Sequence, residues 1–332
     1  MALRLLEVAV ASEHESRVAE LLERHERATS WRLESSTAGA VFHTVMPAED
    51  TEALMDAIES VCVGHADLRM VLVPAEASVP HVESKPPEDR PRRSFVGIGS
   101  KWRVSREELY EDASDGASVS PAFYLLIALS AVVASLGLLK DNVAVIIGAM
   151  VMAPLYGPNA SLAVGTSLGD TRLLASSLKA LGMGLGLALA LSVLAGAVLP
   201  VDASIPSIAT RTVVGYTDVV LALAAGAAGA LAFTSGRVRA LTGVVVAVAL
   251  LPPIVAFGLL LGSGQVSLAW GALLLAAVNV ICINLAGVAA FLLQGVGPRY
   301  WWEAERARRA TRRAAAIWVA LLVALVVILA LD

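Results

Sequence analysis

Residues 148–158 read GAMVMAPLYGP and run on without a charge to Gly169. The stretch is apolar enough to cross a bilayer, which takes about 20 residues, yet prolines and glycines interrupt it. Proline has no amide hydrogen and its ring blocks the carbonyl four residues earlier, so Pro154 frees the carbonyl of Met150. A second stretch, residues 243–253, reads GVVVAVALLPP and has the same outline. It too runs from a glycine to a proline, carries another proline inside, and leads into a Gly-containing apolar half, 254–264. Here Pro252 and Pro253 free the carbonyls of Val248 and Ala249.

Working outward, the chain has 332 residues, 57% hydrophobic and 16% charged, with a mean hydropathy of +0.72. A soluble domain carries about 25% charged residues, so lipid is the implied solvent for much of the chain. Most acids and all five histidines precede Ser120. The expected organisation is a soluble domain over 1–75, a linker and juxtamembrane amphipathic helix over 76–120, and a transmembrane domain over 121–332.

Seven stretches are long enough to span: 122–139, 143–168, 173–199, 213–233, 241–261, 266–293 and 314–331. The two interrupted segments are the middle members of two successive sets of three. Because three is odd, the second set is inverted relative to the first. That is the pattern of inverted-repeat transporters, in which broken helices mark a site near the midplane. The reading is an α-helical polytopic membrane protein with a 3+3 inverted repeat, broken second and fifth helices, and one further span. Half-helices beginning near Asn159 and Ile254 aim positive ends at that depth, which suits an anion. Freed carbonyls suit a cation, so the ligand's charge stays open.

Lys and Arg mark the cytoplasmic side of short loops. With the N-terminus cytoplasmic, Arg172, Arg237, Arg239 and the Arg-rich run 299–313 all fall inside, and only Lys140 and Arg211 fall outside. The C-terminus is then external. The opening LRLLEVAVA alternates as a strand does and contains Glu7, unlike a secretory signal. A multi-pass location in a cytoplasmic (inner) membrane is expected.

The soluble domain reads βαββαβ: strands over 3–10, 31–37, 40–45 and 69–73, helices over 13–26 and 49–61. This is the ferredoxin-like, split βαβ plan. Its fold names no ligand, and pairing with further copies is the plainest role. Ser105 followed by Glu108 predicts a capped helix just before the membrane.

Candidate path residues follow from the interruptions and from polar groups at membrane depth. They are Met150, Pro154, Gly157, Pro158, Asn159 and Ser161 in the first segment, with Thr166 and Ser167 beyond. Val248, Ala249, Pro252 and Pro253 form the second, and Asn279 and Asn284 lie in the sixth stretch. Asp170 and Asp218 stand at span ends, where they either serve the path or pair with Arg172 and Arg211. Gly182 and Gly186 form a GxxxG pair that joins copies or packs within one bundle.

Several chemistries are excluded. Gly165, Ser167 and Gly169 match G-x-S-x-G, but a nucleophile elbow needs a histidine base, and none follows residue 120. No phosphate-binding G-x-x-x-x-G-K-[ST] loop occurs. Cys62 and Cys282 are solitary, which argues against a disulfide framework. The Arg-rich run suits a membrane interface better than nucleic acid. The expectation is no enzyme, no catalytic residue, no cofactor and no metal. The expected partners are the lipid bilayer, a small solute or ion, and further copies of the chain, with no nucleic acid.

Taken together, SREELYED at 105–112, the run from Ser130 through APLYGP, Gly169-Asp170, RTVVGYTD, ALAAGAAGALA and ALLPP resemble the prokaryotic hydrophobic family known as domain of unknown function 389. The likeness covers about residues 101–295, and the N-terminal part looks like the branch with a small α/β module before the membrane region. Tyr156 stands where the resemblance implies methionine or another apolar residue. The family has no established activity, so the resemblance implies a membrane location and a fold without a substrate. A transporter or passive permease is the first functional expectation. A membrane sensor or scaffold that binds through its N-terminal domain is the contrasting one.

Overall fold

The computed structural model describes residues 3–25, 29–34, 39–62, 68–75, 105–235, 239–297, 311–313, 315–324 and 327, with backbone alone at 29, 34, 49 and 239–249. Two compact units divide between Leu109 and Tyr110.

The first unit contains β1 (Leu3–Ala11), α1 (Glu15–Glu23), β2 (Thr29–Glu34), β3 (Gly39–Pro47), α2 (Ala48–Val61), β4 (Arg69–Ala75) and the start of α3 (Arg106–Gly116). The strands form one sheet in the order β2-β3-β1-β4, with every neighbouring pair antiparallel. Side chains alternate across a strand, so Leu6, Val8 and Val10 share a face with Thr44, Phe42 and Ala40 opposite them. That face is buried with Val18 and Leu22 of α1 and Leu54 and Ile58 of α2. Each such side chain contributes about 1.5–3 kcal/mol by leaving water.

The expected cap on α3 is present in part. Ser105 Oγ accepts from the Glu108 amide at 3.2 Å. The Glu108 carboxylate does not complete the box, because it takes the Arg4 guanidinium in a two-pronged bond at 3.0 and 2.8 Å. Arg4 is buried, and a buried charge needs such a partner.

The second unit holds the rest of α3, then α4 (Pro121–Leu139), α5 (Val143–Met152), α6 (Tyr156–Leu168), α7 (Thr171–Val198), the short α8 (Pro206–Ala209), α9 (Tyr216–Ser235), α10 (Arg239–Gly262) and α11 (Val266–Leu293). Among the described residues, α4, α7, α9 and α11 are long and apolar enough to cross a membrane, and α5 with α6 makes a fifth span if the bent pair counts as one. Of the last expected span, 314–331, residues 315–324 are helical, and 314, 325, 326 and 328–331 lie outside the described residues. Leu125, Leu178, Leu194, Val220 and Leu221 are each more than 60% exposed. The interior is instead rich in small residues, the packing lipid-embedded helices use because backbones must approach closely.

Two seams show that packing. A Cβ on Gly196 of α7 would strike the Leu259 backbone of α10, and one on Gly262 of α10 would strike the Val193 carbonyl. On the other side, a Cβ on Gly226 of α9 would strike the Ile283 carbonyl of α11.

The fifth helix corrects the reading of the sequence. α10 passes through Pro252 and Pro253 as one helix, with both prolines buried. Adjacent prolines remove only two consecutive donors, and nothing after them starts a new helix: Ile254, Val255 and Ala256 continue the apolar run. Gly258 and Gly262 then lock that run against Ser192 and Val193. No half-helix begins near Ile254.

Candidate functional site

The break expected in the first interrupted segment is real. α5 and α6 meet at a bend of 56°. Pro154 has no amide to donate and biases the residue before it toward extended backbone. Ala153 accordingly sits at φ −74° and ψ 116° and ends α5. The Leu155 amide donates to the Ala153 carbonyl at 2.9 Å, closing a tight turn instead of continuing the ladder. Pro158 falls in the first turn of α6, where a missing donor costs nothing because those amides have no intrahelical partner.

Every residue of α6 from Pro158 to Ser167 is buried, so this short helix is enclosed on all sides, unlike a surface helix with one wet face. Gly157 lets α3 approach: a Cβ there would lie 3.0 Å from the Gly116 carbonyl oxygen. Ser161 Oγ is 2.5 Å from the Ala113 carbonyl and 2.7 Å from that of Gly157. At the far end Gly169 takes a left-handed φ of 69° and closes the helix. Asp170 then caps α7, its Oδ1 accepting from the Arg172 and Leu173 amides at 2.8 and 3.1 Å. Its Oδ2 accepts from the Tyr110 hydroxyl at 3.0 Å. That bond, together with desolvation, pushes the Tyr110 phenol above its usual range.

One polar contact crosses the interior. Asn284 of α11 donates from Nδ2 to Asn159 Oδ1 of α6 at 2.8 Å and to its own helix at the Val280 carbonyl at 2.9 Å. The other end of that carboxamide, Asn284 Oδ1, is buried with no hydrogen-bond partner. A buried acceptor left unpaired costs about 1–3 kcal/mol. Beside the pair, a narrow cleft with room for about one water molecule is lined by Tyr156, Asn159, Gly226, Gly229, Gly287 and Phe291, among others. The Tyr156 hydroxyl donates to the Gly229 carbonyl at 3.1 Å. Its ring meets Phe233 edge to face at 6.0 Å, and Phe233 meets Phe291 at 6.2 Å. None of the cleft's lining side chains is an acid or a base.

Residues 150–285 match the family described as Domain of unknown function (DUF389). An uncharacterised protein of Methanocaldococcus jannaschii is 36% identical over 281 residues, covering 85% of this chain and 84% of its own length. The chain belongs to the DUF389 family. No solved structure matches it.

The DUF389 match takes in the whole cleft except Gly287 and Phe291. Of the residues expected on a path, Asn159 lines the cleft and holds Asn284, which is not itself a lining residue, and Pro154, Gly157 and Pro158 shape the turn that begins α6. Met150 is buried on α5 and does not line the cleft; neither does Asn279, buried on α11. Thr166 and Ser167 return their hydroxyls to carbonyls four residues earlier, and Ser161 serves the contact with α3. Asp170 is committed to helix ends, and Asp218 Oδ2 accepts from the Gly215 amide at 2.8 Å at the start of α9. Neither expected aspartate–arginine pair is present among the described residues: Asp170 meets the backbone of Arg172, and the Arg211 guanidinium bonds the Ser207 carbonyl. Pro252 and Pro253 sit inside α10, outside the cleft lining, and the side chains of Val248 and Ala249 lie outside the described residues. Tyr156, Gly226, Gly229, Gly287 and Phe291 were not expected. The glycine spacing of ALAAGAAGALA signals close packing, but nothing local says that Tyr156 reaches it.

Proposed function

We propose that this protein is a membrane transporter or passive permease for a small solute or ion, with α6, α9 and α11 forming the path. The observation that carries this is the broken pair α5 and α6 delivering a helix buried from Pro158 to Ser167, whose Asn159 lines the cleft and meets Asn284, leaving one buried acceptor of Asn284 unpaired. In a bilayer, polar groups at such depth line a cavity or bond neighbouring helices; here one bond is made and one acceptor is left over. The full reading has seven spans, two inverted sets of three, a cytoplasmic N-terminal domain of ferredoxin-like plan and an external C-terminus in a prokaryotic inner membrane. The distribution of arginines supports that orientation. No enzymatic step is assigned to the chain.

A second reading, a non-transporting sensor or scaffold working through the N-terminal domain, is favoured by one feature: the sheet face opposite α1 and α2, with its exposed Trp31, Leu33, Val71 and Val73. Purified protein in liposomes, tested for flux of a panel of ions and small neutral solutes, separates the two. A transporter gives flux that Asn284→Leu abolishes while the protein stays folded. Folded protein that passes none of the panel leaves the scaffold reading.

A further inference from the structure

Beyond transport, the sheet of the first unit carries a face that α1 and α2 leave open. Its even-numbered β1 positions lie under α1 and α2, and its other face mixes exposed apolar residues, Trp31, Leu33, Val71 and Val73 at 45%, 46%, 50% and 43%, with Glu7, His43 and, at the β4 edge, Arg69. Strand register sets Trp31, His43, Glu7 and Val71 in one row across β2, β3, β1 and β4. In the middle of that row His43 Nε2 lies 3.1 Å from Glu7 Oε2, and the Trp31 ring stands 5.9 Å from the imidazole.

We propose that a second copy of this chain covers this face, related by a two-fold axis that runs along the strands between β1 and β3. Such a rotation lays the order β2-β3-β1-β4 over β4-β1-β3-β2. Each Glu7 then meets the His43 of the second copy, and each Trp31 meets its Val71. Acid falls on imidazole at the centre and apolar on apolar at both edges, so the row is complementary to itself. A polyanion would meet Glu7 at the centre of the face and a cation, Arg69, only at its edge, which disfavours nucleic acid and anionic lipid headgroups. Sheets stacked this way lie about 10 Å apart, with strands within about 30° of each other.

The size of the face sets how the pairing works. Four strands about 4.8 Å apart and three rows of alternate residues give about 300–400 Å² per copy, roughly half of the 800 Å² each partner gives a standard interface. The contact therefore depends on both copies being tethered in one membrane, which raises their effective concentration.

The full-length chain carrying both Trp31→Cys and Val71→Cys tests this by cross-linking in native membranes with a short bis-maleimide, because facing Cα atoms about 10 Å apart exceed the roughly 4.4–6.8 Å that a direct disulfide spans. Within one copy β2 and β4 are three strand spacings apart, about 14 Å, and their side chains leave the sheet side by side, whereas facing side chains of two copies point toward each other and bring their sulfurs within the linker's reach. The native Cys62 and Cys282 are buried. The double variant is expected to give a covalent dimer and either single variant at most a tenth of that yield. No dimer from folded double variant, or equal yields from the single variants, overturns the proposal. Adding Glu7→Lys should lower the yield about tenfold, and adding His43→Glu as well should restore it. A yield unaffected by Glu7→Lys overturns the central acid–imidazole arrangement.

Discussion

The α5–α6 segment and α10 share a glycine-to-proline outline, yet one breaks and the other does not. In the first, Pro154 and Pro158 stand four residues apart with Gly157 between them. One proline ends a helix, the other fits the first turn of the next, and the glycine makes room for α3. In the second, Pro252 and Pro253 are adjacent and take away two donors in a row, while the helix downstream is clamped to α7 through Gly258 and Gly262. What separates a broken membrane helix from a continuous one is thus the spacing of the prolines and the packing of the following turn, more than their number.

The largest effect expected from this difference lies in the glycines. Gly262→Leu drives a side chain into the Val193 carbonyl and should cost about 3 kcal/mol or more, seen as loss of folded protein on size exclusion in detergent. Gly148→Leu on α5, where a Cβ meets nothing within 4 Å, should leave the protein unchanged. Similar losses at both sites would remove the contrast.

Next come the prolines. Pro252→Ala restores a donor inside a continuous helix and should raise stability by about 1–3 kcal/mol, measured as a higher unfolding temperature. Pro154→Ala should move stability by less than about 1 kcal/mol and abolish flux, because it lets α5 continue toward α6. A rise in unfolding temperature for Pro154→Ala matching that of Pro252→Ala would mean the bend is only a kink.

Much of this was legible in the residues, and the limits have physical causes. The βαββαβ order follows from period-two alternation in β1 and β3 and from the apolar stripe of α2. The bend at Pro154 follows from the missing amide. The continuity of α10 was not legible, because it depends on glycine contacts with another helix. Asn159 and Asn284 could each be singled out as polar residues at membrane depth, but a sequence does not give the rotation of α6 against α11, so their bond across 125 positions was out of reach. Ser161, Thr166 and Ser167 drew notice as polar groups, although short hydroxyls in helices commonly return to their own backbone.

Asn284→Leu sharpens the picture at the cleft. It leaves Asn159 Oδ1 unpaired and should lower stability by about 1–2 kcal/mol, with Asn159→Leu and the double variant completing a cycle. Additive losses would show that the two amides do not interact. The smallest effect expected is from Tyr156→Phe, which removes one bond to the Gly229 carbonyl and should cost about 0.5–1.5 kcal/mol in thermal unfolding while keeping the ring contact with Phe233.

The seam between α7 and α10 has a mechanical consequence. Where glycines bring two backbones into direct contact, no flexible side chains remain to act as a bearing, and the helices can part but cannot glide. If the proposed transport involves a swing, that pair is expected to act as the fixed post and the bend at Ala153, Pro154 and Leu155 as the hinge.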